Sequence, residues 1–329
     1  MIVETRVRPD VPGRVLVTGA SGFIGRALAE RLRELGADVV GIDLVADPRS
    51  GVLAGDTVHP ESWAQALTGV EAVVHTAAIV SNAARLDDAW RVNVLGTRRV
   101  IEASGAAGVR RFLHLSSIMA FGFDFPDGVD ETYPVRVCGH SYPDTRVNSE
   151  AVVLTAHAAG EIDATIVRPG DVFGPGSVWV REPLARARAR QVFLPAGGRG
   201  LLSLIHVDNL VDGILLALAS PAASGRVFTL TDGYTVTCRE YFGRLAALVG
   251  AGVHTLPTSV ATPLTATAGV LLRRAGRPNE LSRASMLMLS RTGTYSNLRA
   301  RTELGFRPRV GYDQGMAQVE VWARSEGLV

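Results

Sequence analysis

The 329-residue chain contains no lysine, so all 34 of its basic residues are arginine, against 32 acidic ones. A GC-rich genome drives lysine toward arginine. An absence this complete points to severe codon pressure or deliberate alteration, and either sets arginine at positions that local chemistry did not choose. The net charge of +2 gives no electrostatic ground for binding nucleic acid. The basic run Ala185–Arg190 reads as a solvated helix face. Cysteine is nearly absent too: Cys138 and Cys238 are isolated thiols, which excludes a disulfide framework and a metal site and makes a reducing cytoplasm the expectation. Arg6, Arg8 and Asp10 interrupt any apolar leader. The apolar stretch Leu256–Leu272 is broken by Pro263 and a series of threonines, so stable membrane insertion is not expected. It reads as a helix packed over an apolar site.

What is present is a hydrophobic content of 47%, enough for a sizeable core in one large domain or two unequal ones. After a loose lead-in over residues 1–12, short apolar runs alternate with helical periodicities. "RVLVTGA" reads as a buried strand. "FIGRALAERLRELG" spaces Ile24, Leu28, Leu32 and Leu35 as one helix face. "ADVVGID", "VEAVVHTAA", "RRFLHLSS" and "DATIVRPG" follow as strands, with "SWAQALTG", "DDAWRVNVLGTRRVIEASGAAG" and "PDTRVNSEAVVLTAHAAG" as helices between them. Such β-α alternation predicts an α/β, doubly wound parallel sheet of Rossmann type, with its ligand edge at the strand C-termini. Residues 1–174 form this domain, completed by about 204–230. Segments 175–203 and 231–329 are expected to form a smaller, mostly helical substrate domain.

"VTGASGFIG" sets Gly19, Gly22 and Gly25 between a strand and a helix. The first glycine permits the tight turn, and the others let backbone approach a pyrophosphate on the helix N-terminus. Ser21, Phe23 and Ile24 lie in the same loop and first turn. Asp43 closes the second strand, where a carboxylate accepts from ribose hydroxyls and repels a 2′-phosphate. NAD is therefore expected over NADP, although nearby Arg49 offers a partner for that phosphate. Asp56 is either a partner for the adenine amino group or a turn residue.

The glycine triplet, "VVHTAA" (Val73–Ala78), "NVLGT" (Asn93–Thr97), "LSSIMAFG" (Leu115–Gly122), the helix carrying Tyr142 and "RPGDVFGPG" (Arg168–Gly176) stand in one order and spacing. Together they resemble an extended short-chain dehydrogenase/reductase over nearly the whole chain. "GRVFTLTDG" and "TYSNLRARTELGFRPRV" are most similar to the 3β-hydroxysteroid dehydrogenase-like branch of the epimerase/dehydratase superfamily. The resemblance implies that Ser117 is the catalytic hydroxyl and Tyr142 the general acid/base. It implies that Asn93 organises a helix bend and a proton-relay water. It also implies that Ala77, Ala78, Pro169 and Val172 line the cofactor, with Tyr142 and Arg146 beside it, and that the protein is a homodimer paired through the helices near Asp87–Ser104 and Pro143–Ala159. Arg146 departs from the family, which carries lysine there.

The chemistry fits these residue types. Oxidising a secondary alcohol needs a base for the hydroxyl proton as hydride leaves carbon. A free tyrosine, with a pKa of about 10, is mostly protonated at neutral pH. A cation at i+4 shares its helix face and favours tyrosinate. Arginine keeps the charge but replaces a compact donor by a planar fork. His140 is either a proton carrier or a loop residue. Asp208 is expected to cap the helix after His206, and Arg168 to be a structural ion-pair partner. Related dehydratases carry an Asp-Glu pair where this chain has Ile118 and Met119, so dehydration is not expected. Met119 and Phe121, with Ser117 and Tyr142, are the candidate substrate contacts. With Phe123, Phe125 and the Leu256–Leu272 stretch they favour an apolar small molecule such as a steroid, terpenoid or polyketide. Two alternatives stand. A sugar-nucleotide epimerase would use Arg181, Arg199 or Arg277 on a diphosphate, and a non-catalytic dinucleotide-binding protein would explain Arg146.

Overall fold

The computed structural model describes residues 9–277 and 279–329; most of the lead-in, residues 1–8, lies outside the described residues. The strands are β1 (Arg14–Thr18), β2 (Asp38–Asp43), β3 (Val52–Ala54), β4 (Ala72–His75), β5 (Arg111–Leu115), β6 (Asp163–Pro169), β7 (Asp171–Phe173), β8 (Phe193–Leu194), β9 (Leu201–Leu202), β10 (Leu204–His206), β11 (Val227–Leu230), β12 (Val236–Thr237) and β13 (His254–Thr255). Seven of them form one sheet in the order β3-β2-β1-β4-β5-β6-β11, parallel throughout. Strand order reverses between β1 and β4, so a crevice opens at the C-terminal ends of these two strands.

The helices are α1 (Phe23–Glu34), α2 (Leu86–Trp90), α3 (Thr97–Ala106), α4 (Ser141–Ala158), α5 (Val178–Arg188), α6 (Val207–Ala219), α7 (Cys238–Leu248), α8 (Thr258–Arg274), α9 (Arg283–Met288), α10 (Leu298–Glu303) and α11 (Tyr312–Ser325). One face of the sheet packs on α1 and α6 through Val15, Val17, Leu28, Leu32, Leu210 and Ile214. The other packs on α3 and α4 through Leu16, Val73, Val100, Ile101, Phe112 and Val153. A separate core gathers Phe173, Leu184, Leu204, Tyr241, Leu245, Met316 and Val319 from beyond residue 172. Ala300 and Phe306, late in the chain, join the core of the sheet instead.

Several local expectations change. "SWAQALTG" forms two 3₁₀ turns, Pro60–Ser62 and Ala64–Leu67, because Trp63 between them sits at φ −135°, with its indole N–H donated to the Asp56 carbonyl at 2.9 Å. The long helix expected from Asp87 is three pieces, since Arg91–Gly96 between α2 and α3 is π-helical. His206, not Asp208, caps α6: its Nδ1 accepts the Asp208 amide at 3.3 Å, and Asp208 lies in the first turn. There the carboxylate meets the positive end of the helix dipole. Helix α8 forms from the Leu256–Leu272 stretch, but only its small residues Ala261 and Gly269 are buried, while Val260, Leu264 and Leu271 face solvent. Among the described residues no helix is long and apolar enough to cross a membrane.

Candidate active site

The glycine loop is shaped for close approach. Gly19 has φ +70°, and a Cβ there would lie 2.8 Å from the Ala77 amide nitrogen. A Cβ at Gly25 would lie 2.1 Å from the Gly19 carbonyl oxygen, so α1 rests directly on the turn. Gly22 caps α1 with extended backbone and leaves Phe23 and Ile24 in the first turn. Asp43 accepts from the amides of Ser21 (2.9 Å) and Leu44 (2.8 Å), which fixes its carboxylate at the end of β2 beside the loop. Arg49 stands exposed on a separate 3₁₀ turn capped by Asp47. One carboxylate oxygen of Asp56 accepts the Val58 amide at 2.8 Å, as a turn residue does. Ala77 and Ala78 follow β4 and are half-buried. Pro169 ends β6, Val172 lies in β7, and the loop beyond reaches back to α1: a Cβ at Gly176 would touch Phe23 at 4.0 Å. This cradle fits a dinucleotide, with Gly19, Ser21, Gly22, Ala77 and Asp43 as the groups that would hold it.

Helix α4 carries Tyr142 and Arg146, the candidate site side chains. Its buried stripe is Tyr142, Thr145, Arg146, Ser149, Glu150, Val153 and Ala156, helical in spacing but largely polar. Burying such groups is tolerable only when each finds a partner. Thr145 donates to the Tyr142 carbonyl, Ser149 meets His114, and Glu150 takes Arg168 at 2.9 and 2.6 Å as well as the Ser116 hydroxyl. Arg168 is thus an ion-pair partner, as its sequence context suggested. Asp144 in the first turn accepts the amides of Cys138 and Gly139 (2.7 and 3.0 Å), fixing the approach to Tyr142.

The guanidinium of Arg146 lies 5.1 Å from the Tyr142 ring centroid, and its Nη1 donates to the Leu115 carbonyl at 3.1 Å. That bond ties the helix to the end of β5, two residues before Ser117. Arg146 is buried, and its Nε has no hydrogen-bond partner among the described residues. Ser117 starts a 3₁₀ turn, and its Oγ accepts the Met119 amide at 3.1 Å, with no acceptor for its own proton among the described residues. Asn93 lies in the π-helical segment, where such turns commonly mark functional sites. Its amide donates to the Ile79 carbonyl and to Thr145 Oγ1, both at 3.0 Å, and accepts from the Ile79 amide at 2.8 Å. Both amide hydrogens are therefore engaged by protein, and Asn93 ties the π-helical segment to Ile79 and Thr145.

Met119 is buried beneath Arg291, whose Nη1 contacts Met119 Sδ at 3.6 Å. Phe121 is fully buried under Arg168, between Tyr133 and Tyr295, so it belongs to the core rather than to a pocket wall. His140 caps α4 through its backbone and packs edge-on to Phe123, and burial lowers its pKa.

Three features had little signal in the sequence. His75 and His114 are fully buried and stacked at 5.6 Å, at facing positions of β4 and β5. Burial first, then the charge of Arg146, pushes His75 down to about 3. His114 is held well below its ordinary value by burial, then by His75 and Arg146. Asp171 and Arg291 form a buried ion pair across 120 residues, with Asp171 also accepting the Ser203 amide at 3.0 Å. Glu280 accepts from Ser81 (2.6 Å) and from the Asn82 amide (2.9 Å), clasping the loop after β4.

A doubly wound sheet with a glycine cradle at its crossover, and a Ser–Tyr–cation group on the neighbouring strand end and helix, defines a dinucleotide-dependent enzyme. Residues 15–230 match the NAD dependent epimerase/dehydratase family, and the chain belongs to it, as an extended short-chain dehydrogenase/reductase. It is 31% identical to a 4-hydroxy-2-methyl-3-oxo-4-farnesyl-3,4-dihydroquinoline-1-oxide ketoreductase of Stigmatella aurantiaca, over 92% of this chain and 94% of that one. It is 28% identical to a 3-beta-hydroxysteroid dehydrogenase of Mycolicibacterium neoaurum, over 96% and 92%. A short-chain dehydrogenase/reductase superfamily protein of Agrobacterium tumefaciens, solved with bound NAD, superposes with a TM-score of 0.75 at 25% identity, covering 95% of this chain and 98% of that one.

Proposed function

We propose that the protein interconverts a secondary alcohol and a ketone on an apolar small molecule, using NAD in preference to NADP. The observation that carries this reading is the Arg146 guanidinium, seated 5.1 Å from the Tyr142 ring and fastened to the strand end that precedes Ser117. Ser117 donates to the substrate oxygen. Tyr142 takes the hydroxyl proton on oxidation and returns it on reduction, and Arg146 places a positive charge beside its ring. Bound nicotinamide supplies the hydride acceptor or donor. Asp43, already fixed by two amides, supports the preference for NAD.

An apolar substrate is supported by Ile118 and Met119 next to Ser117, where no carboxylate stands. Of the arginines a diphosphate could use, Arg181 is paired with Glu326 and lies over the Trp322 ring, while Arg199 and Arg277 are exposed and are the groups a sugar-nucleotide epimerase would use. The ketoreductase and hydroxysteroid dehydrogenase relatives act on molecules of the proposed class. Exposed Leu86, Trp90 and Leu95 on the α2 and π-helical segments, with Leu154 on α4, offer the apolar surface for a homodimer.

The test is NADH formation from NAD with a panel of hydroxysteroids and other apolar secondary alcohols. Turnover supports the reading. Tight NAD binding with no turnover in either the unmodified protein or Arg146→Lys, together with binding of a UDP- or dTDP-sugar, would replace it.

A further inference from the structure

The buried histidine of β4 sits in a hydrogen-bond chain whose direction is fixed by which groups own a proton to give. Thr97 Oγ1 lies 2.7 Å from the Asn93 carbonyl, which can only accept, so the threonine proton is used there. Thr97 Oγ1 is also 3.0 Å from His75 Nε2, so that nitrogen must carry the hydrogen and donate it. The other ring nitrogen, Nδ1, is 2.7 Å from Thr18 Oγ1 and accepts from it. Thr18 Oγ1 in turn accepts the Ala77 amide at 3.4 Å. The order is Ala77 N–H, Thr18 hydroxyl, His75, Thr97 hydroxyl, Asn93 carbonyl, and each donor is used once. An imidazolium would present Nδ1–H to Thr18 and strand the threonine proton.

Both ends of this chain touch the site. Thr18 immediately precedes Gly19, and Ala77 lies against it. Asn93 grips Ile79 and Thr145 with its side chain, and Thr145 donates to the Tyr142 carbonyl at 3.0 Å. Arginine does not release a proton at ordinary pH, and the amide hydrogens of Asn93 are taken up by protein. The buried polar groups here therefore hold the two segments together as a strut.

We infer that His75 is a positioning residue: as the neutral Nε2–H tautomer it locks a one-way hydrogen-bond chain from the cofactor loop to the π-helical turn that aims Asn93 at the Tyr142 helix. The groups facing its ring are His114 and Phe112, stacked or tilted at 5.6 and 5.9 Å, with the charge of Arg146 acting on it. None offers a negative charge to hold an imidazolium. Loss of the chain lets Tyr142 shift relative to the nicotinamide site, and about 1 Å of misplacement costs on the order of a hundredfold in rate. The catalytic consequence rests on the oxidoreductase reading above; the chain itself does not.

Two measurements on the full chain test this. In protein labelled with ¹⁵N-histidine, with His75 assigned by its loss in His75→Gln, the ring should show the Nε2–H tautomer from pH 5 to 9 without titrating. An Nδ1–H tautomer, or a midpoint inside that range, overturns the chain whether or not a substrate is known. In turnover assays, near-isosteric Thr97→Val should lower kcat roughly ten- to a hundredfold with the dinucleotide KM within about twofold, and Thr97→Ser should restore most of the rate. Equal loss in both variants, or no loss in Thr97→Val, overturns the positioning role. If Thr97→Val does not fold, the tautomer measurement still decides the chain. Absence of turnover in the unmodified protein counts against the oxidoreductase reading alone.

Discussion

Arg146 holds its guanidinium 5.1 Å from the Tyr142 ring centroid while donating to the Leu115 carbonyl at 3.1 Å, so one side chain both sets a cation beside the tyrosine and anchors its helix. Arg146→Lys keeps the charge and loses the fork. Its turnover should be similar to or moderately above that of the unmodified protein, whereas Arg146→Met, which leaves neither charge nor donor, should fall by about two orders of magnitude or more. Steady-state NADH formation checks both.

Tyr142→Phe removes the proton carrier and leaves the ring in place. Its kcat should fall about 10²- to 10⁴-fold, with NADH affinity, read by fluorescence titration, unchanged. Ser117→Ala should lower kcat while leaving dinucleotide binding intact, because among the described residues its hydroxyl accepts only the Met119 amide.

Asp43 is the residue expected to discriminate between cofactors. Asp43→Ala removes a carboxylate that would face a 2′-phosphate and should shift the NADPH-to-NADH affinity ratio toward NADPH by about tenfold or more. Parallel binding titrations of the two nucleotides measure the ratio.

The Glu150–Arg168 pair is almost entirely buried beneath the site, under the ring of Phe121. Arg168→Met leaves a buried carboxylate without its cation and should cost about 3–5 kcal/mol in urea unfolding. Adding Glu150→Gln should recover much of that loss, since the uncompensated charge is gone.

Acid should unfold the protein partly through its histidines. His75 is neutral when folded, with its pKa lowered from about 6.5 to about 3, so it contributes stability present above pH 6.5 and lost as pH falls toward 3. His114 is shifted in the same direction. Between these limits His75 adds a dependence of up to about 1.4 kcal/mol per pH unit. Urea unfolding from pH 4.5 to 7 should be less steep with pH in His75→Gln than in the unmodified chain.

The glycine spacing, the strand periodicities and the Tyr142 helix signature make the sheet and the cofactor edge readable, because each depends on local backbone and period. Helix α4 was readable by motif rather than by amphipathicity: its buried face is polar, so the usual apolar stripe is missing. A bend at Asn93 was implied by resemblance, but the π-helical form of Arg91–Gly96 was not legible, since the segment has no proline and its single glycine, Gly96, stands at its end. Phe121 and Met119 looked alike as apolar neighbours of Ser117. Both are buried by partners the local pattern does not show, Phe121 under Arg168, Tyr133 and Tyr295 and Met119 under Arg291.

By itself the sequence determined the parallel α/β order, the glycine turn with its acid at the end of β2, and the placement of Tyr142 and Arg146 on one helix face. These are consequences of spacing within a few turns of chain. Only the tertiary structure decided that His75 stacks on His114, that Asn93 is saturated by Ile79 and Thr145, and that Asp171 neutralises Arg291. Those pairings join residues up to 120 positions apart. What a buried polar group does is set by the partner that satisfies it, and that partner is chosen by packing across the sheet rather than by neighbours along the chain.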